Sequence, residues 1–586
     1  MDAFTELNPP MNIEKFSWNQ SARRVLFAVL IALPILYALQ VMLTHWVAVP
    51  WWDEWLTPGQ TLASYYQGTL RFADLWSQHN ESRKLFPRLL YLALYVPGGW
   101  DVRYGMILTF LWVCVGSAGL YWILLQTVSR SVAGCGFILM NLLLFSPRQY
   151  ENFLFSLEGE NFTPAFALVF ALLCNLRAKS FRTKALVNSA LSLLSTYTCA
   201  NGMLVWLLAF PIHWEGDIAG ESSTQRRFWR ICYSLAAVIS ISFYFLGYKH
   251  PLAAPPFALT LSQLPEVLHY FVIWIGNLFI TGAPAVTGIL ILACFFLLTI
   301  RAIRHMANGR LRKASYPWLI LGCYVLISGL VTAFGRVGFG LGVAFDVRYT
   351  AFTVFFYIAV IGLFCSVCET WNYARLASSI GSALLLGAWA YTYHKEMPEL
   401  EKSASDRKHL ELVSKWSLAI PKNPDLTILS PYSGTIDRIQ VLSKHKALRP
   451  RLVDPMLVER LQKPSHSSAS VAGYLREVLL VSPDRLRVDG WAQIPKRSVP
   501  ADCVVLGYDN GAGEWIPFGV TETGLSRSDV PADLHDSRLS LSGFSRTFST
   551  VDLPPDPVTF EARAVDLENK DVFQLSGAFT IHRPKN

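Results

Sequence analysis

The sequence predicts an α-helical polytopic membrane protein followed by a mostly β soluble C-terminal domain, and three observations carry that expectation. Charge is unevenly spread: residues 1–395 hold 27 Lys+Arg and 17 Asp+Glu, whereas residues 396–586 hold 24 and 25. The first stretch falls far below the charged share of a soluble domain and the second matches it. Apolar runs long enough to cross a bilayer recur through the first stretch. Beyond residue 472 the apolar runs turn short, as at Val504 to Leu506, Val558 to Phe560 and Phe579 to Ile581. Turn clusters such as Asp509-Asn510-Gly511 and Pro554-Pro555-Asp556 separate them, the spacing of a β-sandwich.

Taken in order, residues 1–24 are expected in the cytoplasm. Val25 to Trp52 contains no charged residue and is too long for a signal-peptide core, so it is read as a retained span over 25–49. Ten further spans are expected at 104–128, 131–147, 162–176, 185–200, 202–213, 231–248, 284–300, 317–334, 349–367 and 376–394, eleven in all. With the N-terminus inside, the cytoplasmic segments hold 17 basic and 7 acidic residues, and the other side up to Lys395 holds 10 of each. That is the asymmetry of the positive-inside rule, so the net charge of +9 reports topology instead of a nucleic-acid face. A transmembrane domain over 25–395 then has outer-face loops at 50–103, 148–161, 249–283 and 335–348. Leu264 to Ile280 must begin and end outside, and Leu85 to Val96 is too short to span; both read as interfacial or re-entrant helices. Residues 396–471 read as a mixed extracytoplasmic linker and 472–586 as the sandwich. Cys503 is alone in the soluble part, which rules out a disulfide framework there, and the Cys365/Cys368 pair reads as helix-end packing.

The outer loops gather their few charges into short motifs. Trp51-Trp52-Asp53-Glu54-Trp55 follows the first span directly. The tryptophans suit an interfacial belt, but two acids at a membrane boundary are costly unless used, and Asp53 or Glu54 fits a general base for a sugar hydroxyl. In the run from Gln78 to Arg88, His79, Arg83, Lys84 and Arg88 are candidates for a phosphate, with a solvated loop as the plain alternative. Trp52, Asn80, Glu81, Glu151, Asn152, Glu158 and Tyr349 mix aromatic, amide and carboxylate groups as sugar sites do. Arg336 and Arg348 flank a loop with four glycines and suit bidentate contact with a lipid phosphate, or snorkelling to headgroups. Asp53, Glu54 and Glu151 or Glu158 would share a divalent cation, Mg or Mn, only if the fold joins their loops.

Asp53-Glu54 after the first span, the His79-Asn80-Glu81 to Pro87-Arg88 run, Glu151-Asn152-Phe153 and Arg348-Tyr349 together resemble the polytopic GT-C glycosyltransferases of bacterial envelopes. The resemblance covers about residues 20–395. It implies inverting transfer from a polyprenyl-phosphate-linked sugar to a glycan or lipid acceptor, at the outer face of a bacterial cytoplasmic membrane, with Asp53 at the catalytic acid's position. Nucleic acid is not an expected partner. A lipid-linked-glycan flippase is the alternative from another class and predicts ionisable groups within the spans, of which the sequence has almost none. An envelope-assembly protein anchored by its membrane part is the third.

Overall fold

The computed structural model describes residues 20–214, 221–250, 262–464, 471–510, 514–550, 553–554 and 557–582. The expected cytoplasmic residues 1–19, the stretch 251–261 of the loop expected at 249–283, and the turn residues Gly511, Pro555 and Asp556 lie outside them. Among the described residues, seven helices are long and apolar enough to cross a membrane. They are Arg24–His45, Val102–Thr127, Gly159–Arg177, Ser223–Phe245, Pro284–Arg304, Gly309–Phe339 and Val347–Val367. Arg130–Leu144 and Pro147–Leu154 add an eighth if the pair, bent by 46°, is one span.

The expected helix over 202–213 does not form as a unit. Only Leu204–Leu208 is α-helical there, after a 3-10 turn at Ala200–Met203. The carbonyls left open at Ala209, Phe210 and Ile212 are taken by Asn188, Asn175 and Lys184, all fully buried on neighbouring helices. Broken backbone is tolerated inside a bundle only where side chains replace the missing partners, and these three do so.

Both short apolar segments form short helices. Leu85–Tyr95 has 11 residues. Leu264–Ile275 packs between Pro284–Arg304 and Gly309–Arg336, and crosses the former at two glycines. A Cβ on Gly276 would stand 1.9 Å from the Pro284 carbonyl oxygen and one on Gly288 2.0 Å from that of Val272, so only glycine permits this approach.

The boundary expected at residue 395 is not a structural one. A single helix, Ala374–Trp416, runs through it for 43 residues, carrying Pro398 inside. Its first half exposes Leu376, Ile380 and Leu384, and its second half is richly charged. The change in composition marks a change of surroundings, while the backbone stays helical across it in spite of Pro398. Nor is 396–471 merely a linker. Trp100 N donates to Ala447 O (2.6 Å), Arg449 N to Trp100 O (3.0 Å), and Arg438 Nε to Gln60 Oε1 (2.7 Å), which bind this region to the segment after the first span.

The C-terminal region is β-rich. One antiparallel sheet runs Asp571–Gln574, Val558–Asp566, Cys503–Asp509, Trp515–Thr521, with Phe579–Ile581 also on Val558–Asp566. The other joins Gly473–Ser482, Arg485–Ile494 and Val499–Pro500, with Gly543–Ser549 on Arg485–Ile494. Leu475, Val488, Val504, Leu506, Phe544 and Phe560 form a core common to both sheets. Cys503 and Val505, on the alternate face of the same strand, pack instead with Leu412, Val413 and Trp416 of the long helix. The apolar run at 503–506 is continuous because it serves two cores at once.

Candidate functional site

Hydrogen bonds and ion pairs join the connecting segments 46–101, 146–158, 197–199, 246–250, 276–283 and 336–346 at one end of the helical bundle. The tandem acids sit there on a 3-10 turn, Trp52–Trp55, entered through Trp52 at φ +50°. Successive residues of such a turn point about 120° apart, so the two carboxylates diverge. Glu54 faces inward and is 1% exposed. Its Oε2 accepts from Trp51 N at 2.7 Å, and its Oε1 accepts from the amide and hydroxyl of Ser156. Burial raises its pKa to about 7 against those hydrogen bonds. Glu54 thus ties the first turn to the loop before Gly159–Arg177, and both of its oxygens are used. Glu54→Gln puts an amide N–H against either the Trp51 or the Ser156 donor. A loss of about 1–3 kcal/mol in unfolding free energy is expected, read by denaturation in detergent.

Asp53 faces the other way and is partly exposed. Its Oδ1 accepts from the Tyr432 hydroxyl, and its Oδ2 lies 3.8 Å from His79 Nε2. Burial pushes the carboxyl up, but the His79 and Tyr432 side chains and the charge of Lys84 outweigh it and hold Asp53 well below the usual carboxylate range. His79 is itself held below its ordinary value by burial and by Lys84, so a neutral ring faces an ionised carboxylate. Lys84 Nζ in turn stands 2.6 Å from Glu160 Oε2, which keeps the buried ammonium charged despite desolvation. The Glu160 carboxylate also accepts from Tyr91.

The hairpin 78–83 delivers His79. Asn80, exposed at the turn, adopts φ +50°, a conformation asparagine tolerates. Ser82 Oγ accepts from Ala200 N at 3.1 Å. Arg83 is spent on this scaffold: it donates to the carbonyls of Trp76, Tyr244 and Leu246. Arg88 likewise donates to the carbonyls of Leu75 and Ser77. Both arginines are buried, with these N–H groups turned to backbone carbonyls where a phosphate contact was expected. Their charge was legible, but not the open carbonyls at nearby helix ends that claim it.

The later motifs meet the same region. Glu81 receives Arg336 Nη2 on both carboxylate oxygens, at 2.8 and 3.0 Å. Arg348, half-exposed, donates to Asp346 Oδ2 at 2.9 Å and lies 5.3 Å from the Tyr349 ring centroid. Its charge reaches Tyr432 and Glu158. Glu158 is buried and accepts from Asn161; burial, reinforced by Glu151, raises its pKa to about 8 against Arg348 and Lys84. Tyr349 is buried against Trp274, and Trp52 is exposed at the edge of Trp51. Asn152 departs from its expected sugar contact. It is fully buried and donates to Gln149 Oε1 and Thr350 Oγ1, fastening its short helix to Thr350–Val367.

Sequence reasoning missed three members. Glu160 was readable as the second acid of Glu158-Gly159-Glu160. Arg407 and Tyr432 were not, because they come from the region taken for a linker. Arg407 donates to Leu154 O, stacks 4.8 Å over Trp51, and places its charge near Glu151 and Glu54. Among the described residues no group of three or more His, Cys, Asp or Glu is placed to hold a metal ion. The cation sharing considered for Asp53, Glu54 and Glu151 or Glu158 therefore finds no ligand set, and ammonium and guanidinium groups interleave these acids instead.

No family model, curated protein or solved structure matches the chain.

Proposed function

We propose that the chain is a GT-C-type membrane glycosyltransferase, moving a sugar from a polyprenyl-phosphate donor to a glycan or lipid acceptor of a bacterial envelope with inversion. The supporting observation is Asp53: an ionised, partly exposed carboxylate just past the first apolar helix, faced by a neutral histidine and by a hydroxyl from Tyr432. An acceptor hydroxyl takes the place of the Tyr432 phenol on Oδ1. A carboxylate this acidic is a weak base toward a resting alcohol, so it receives the proton late, as the new bond to the anomeric carbon acidifies the hydroxyl. Its negative charge meanwhile favours the oxocarbenium character of the sugar. The polyprenyl phosphate leaves from the opposite face, and its charge is met by Arg348, Arg336 and Lys84. Each has a carboxylate partner already, and the half-exposed Arg348 retains N–H groups for phosphate oxygens. Glu54 is a positioning residue here, and Asp53 is the base.

The same reading takes the eleven expected spans as eleven passes, counting Phe181–Thr196, the broken stretch 200–214 and the first half of Ala374–Trp416. It puts the site and the C-terminal sheets, a β-sandwich, on the extracytoplasmic side. Lys184 is the ionisable group a transporter would recruit, but its contact with Ile212 O at 2.9 Å accounts for it structurally. The test is release of polyprenyl phosphate and glycosylation of acceptor by the purified chain in nanodiscs, across polyprenyl-phosphate hexoses and pentoses with envelope lipid extract as acceptor. Turnover of one donor supports the assignment, and a folded protein inert toward all of them overturns it.

A further inference from the structure

One buried histidine has a carboxylate within hydrogen-bond distance of each ring nitrogen. His409, on Ala374–Trp416, has a side chain 0% exposed. Its Nε2 is 2.8 Å from Asp425 Oδ2 and its Nδ1 is 2.8 Å from Glu522 Oε2. Ionised carboxylates only accept, and a neutral imidazole has one N–H, so both contacts are hydrogen bonds only when both nitrogens carry protons. Burial pushes the ring toward neutrality, but the two acids prevail and raise it above its ordinary value, while Arg546, 3.6 Å from Glu522 Oε1, opposes them.

The three partners belong to different parts of the chain. Two residues before His409, Arg407 reaches Leu154 and Trp51. Asp425 opens the segment whose Ile428 carbonyl accepts from Trp51 Nε1 at 3.2 Å and whose Tyr432 donates to Asp53. Glu522 directly follows the strand Trp515–Thr521 of the β-rich region. We propose that His409 is a proton-dependent clamp: doubly protonated, it fastens the β-rich region through Glu522 to the segment 425–432 lying on Asp53, and loss of a proton releases one of the two contacts. The clamp does not depend on the reaction assigned to Asp53.

Because the folded ring holds its proton more tightly than the unfolded one, the clamp is complete below about pH 6.5 and is lost as pH rises through the higher folded value. Hydrogen exchange of the full chain in nanodiscs, from pH 5.5 to 9 and corrected for intrinsic rates, tests this. Protection of 425–435 or of 515–522 is expected to fall roughly tenfold or more across the range, with a midpoint above the ordinary histidine value. In His409→Gln the step disappears. In Glu522→Gln, whose position is part-exposed and tolerant, the amide can donate to the bare nitrogen of a neutral ring, so protection persists at high pH. A wild-type profile that is flat over the range overturns the clamp. So does a step of undiminished size in Glu522→Gln, the comparison that stands even if His409→Gln does not fold.

Discussion

Asp53→Asn is expected to lower sugar transfer by at least about 100-fold, the lower end of what a positioned general base contributes. The substitution is nearly isosteric. Asparagine Oδ1 can still accept from Tyr432, and the turn Trp52–Trp55 keeps the buried Glu54 contacts that anchor it. What is lost is the charge facing His79 and Lys84 and the ability to receive a proton. Initial rates with a polyprenyl-phosphate donor, set beside an unchanged thermal unfolding profile, separate a chemical defect from a folding one. A variant that turns over at the wild-type rate removes Asp53 from the mechanism. Restoring the carboxylate one methylene longer, in Asp53→Glu, should recover only part of the rate, because the carboxyl then overshoots the 3.8 Å spacing to His79.

The legible parts of the fold were those set by solvent. Apolar length located the seven helices long and apolar enough to cross a membrane, and the sparse charges of the connecting loops located Asp53, His79, Glu81, Arg336 and Arg348, which the structure brings to one end of the bundle. Less legible was which charge meets which partner. Arg83 and Arg348 look alike in a sequence, yet one is consumed by backbone carbonyls and the other stands half-exposed beside an aspartate. Composition misled at residue 395, where the surroundings change while the helix does not, and so Arg407, His409 and Tyr432 were assigned to a linker. Adjacent acids also read as equivalent, and only the 3-10 turn separates the partly exposed Asp53 from the buried Glu54.

Among the contacts that hold the long helix Ala374–Trp416 against the helical bundle is a buried ion pair, and breaking it should have the largest effect on stability. Arg148 donates to Glu396, to Phe345 O at 2.7 Å and to Asn277 Oδ1 at 3.1 Å, with its guanidinium 4.4 Å over the Phe345 ring. The side chains of Arg148 and Glu396 are 6% and 2% exposed. A pair this dry adds little net stability over an apolar substitute of similar volume, but removing one partner leaves the other charge uncompensated at a cost of about 3–5 kcal/mol. Arg148→Met is therefore expected to destabilise by that amount at pH 8, read by denaturant unfolding in detergent. The defect should shrink toward pH 5, because an orphaned, buried Glu396 takes up a proton and sheds its charge: a carboxyl whose folded pKa is raised loses stability as pH climbs. Glu396→Leu alone leaves a guanidinium that cannot discharge, so its defect should not shrink at low pH. The double variant Arg148→Met, Glu396→Leu should regain most of the loss. Single variants within about 0.5 kcal/mol of wild type, the range of ordinary surface changes, would mean that the pair does not hold the helix in place.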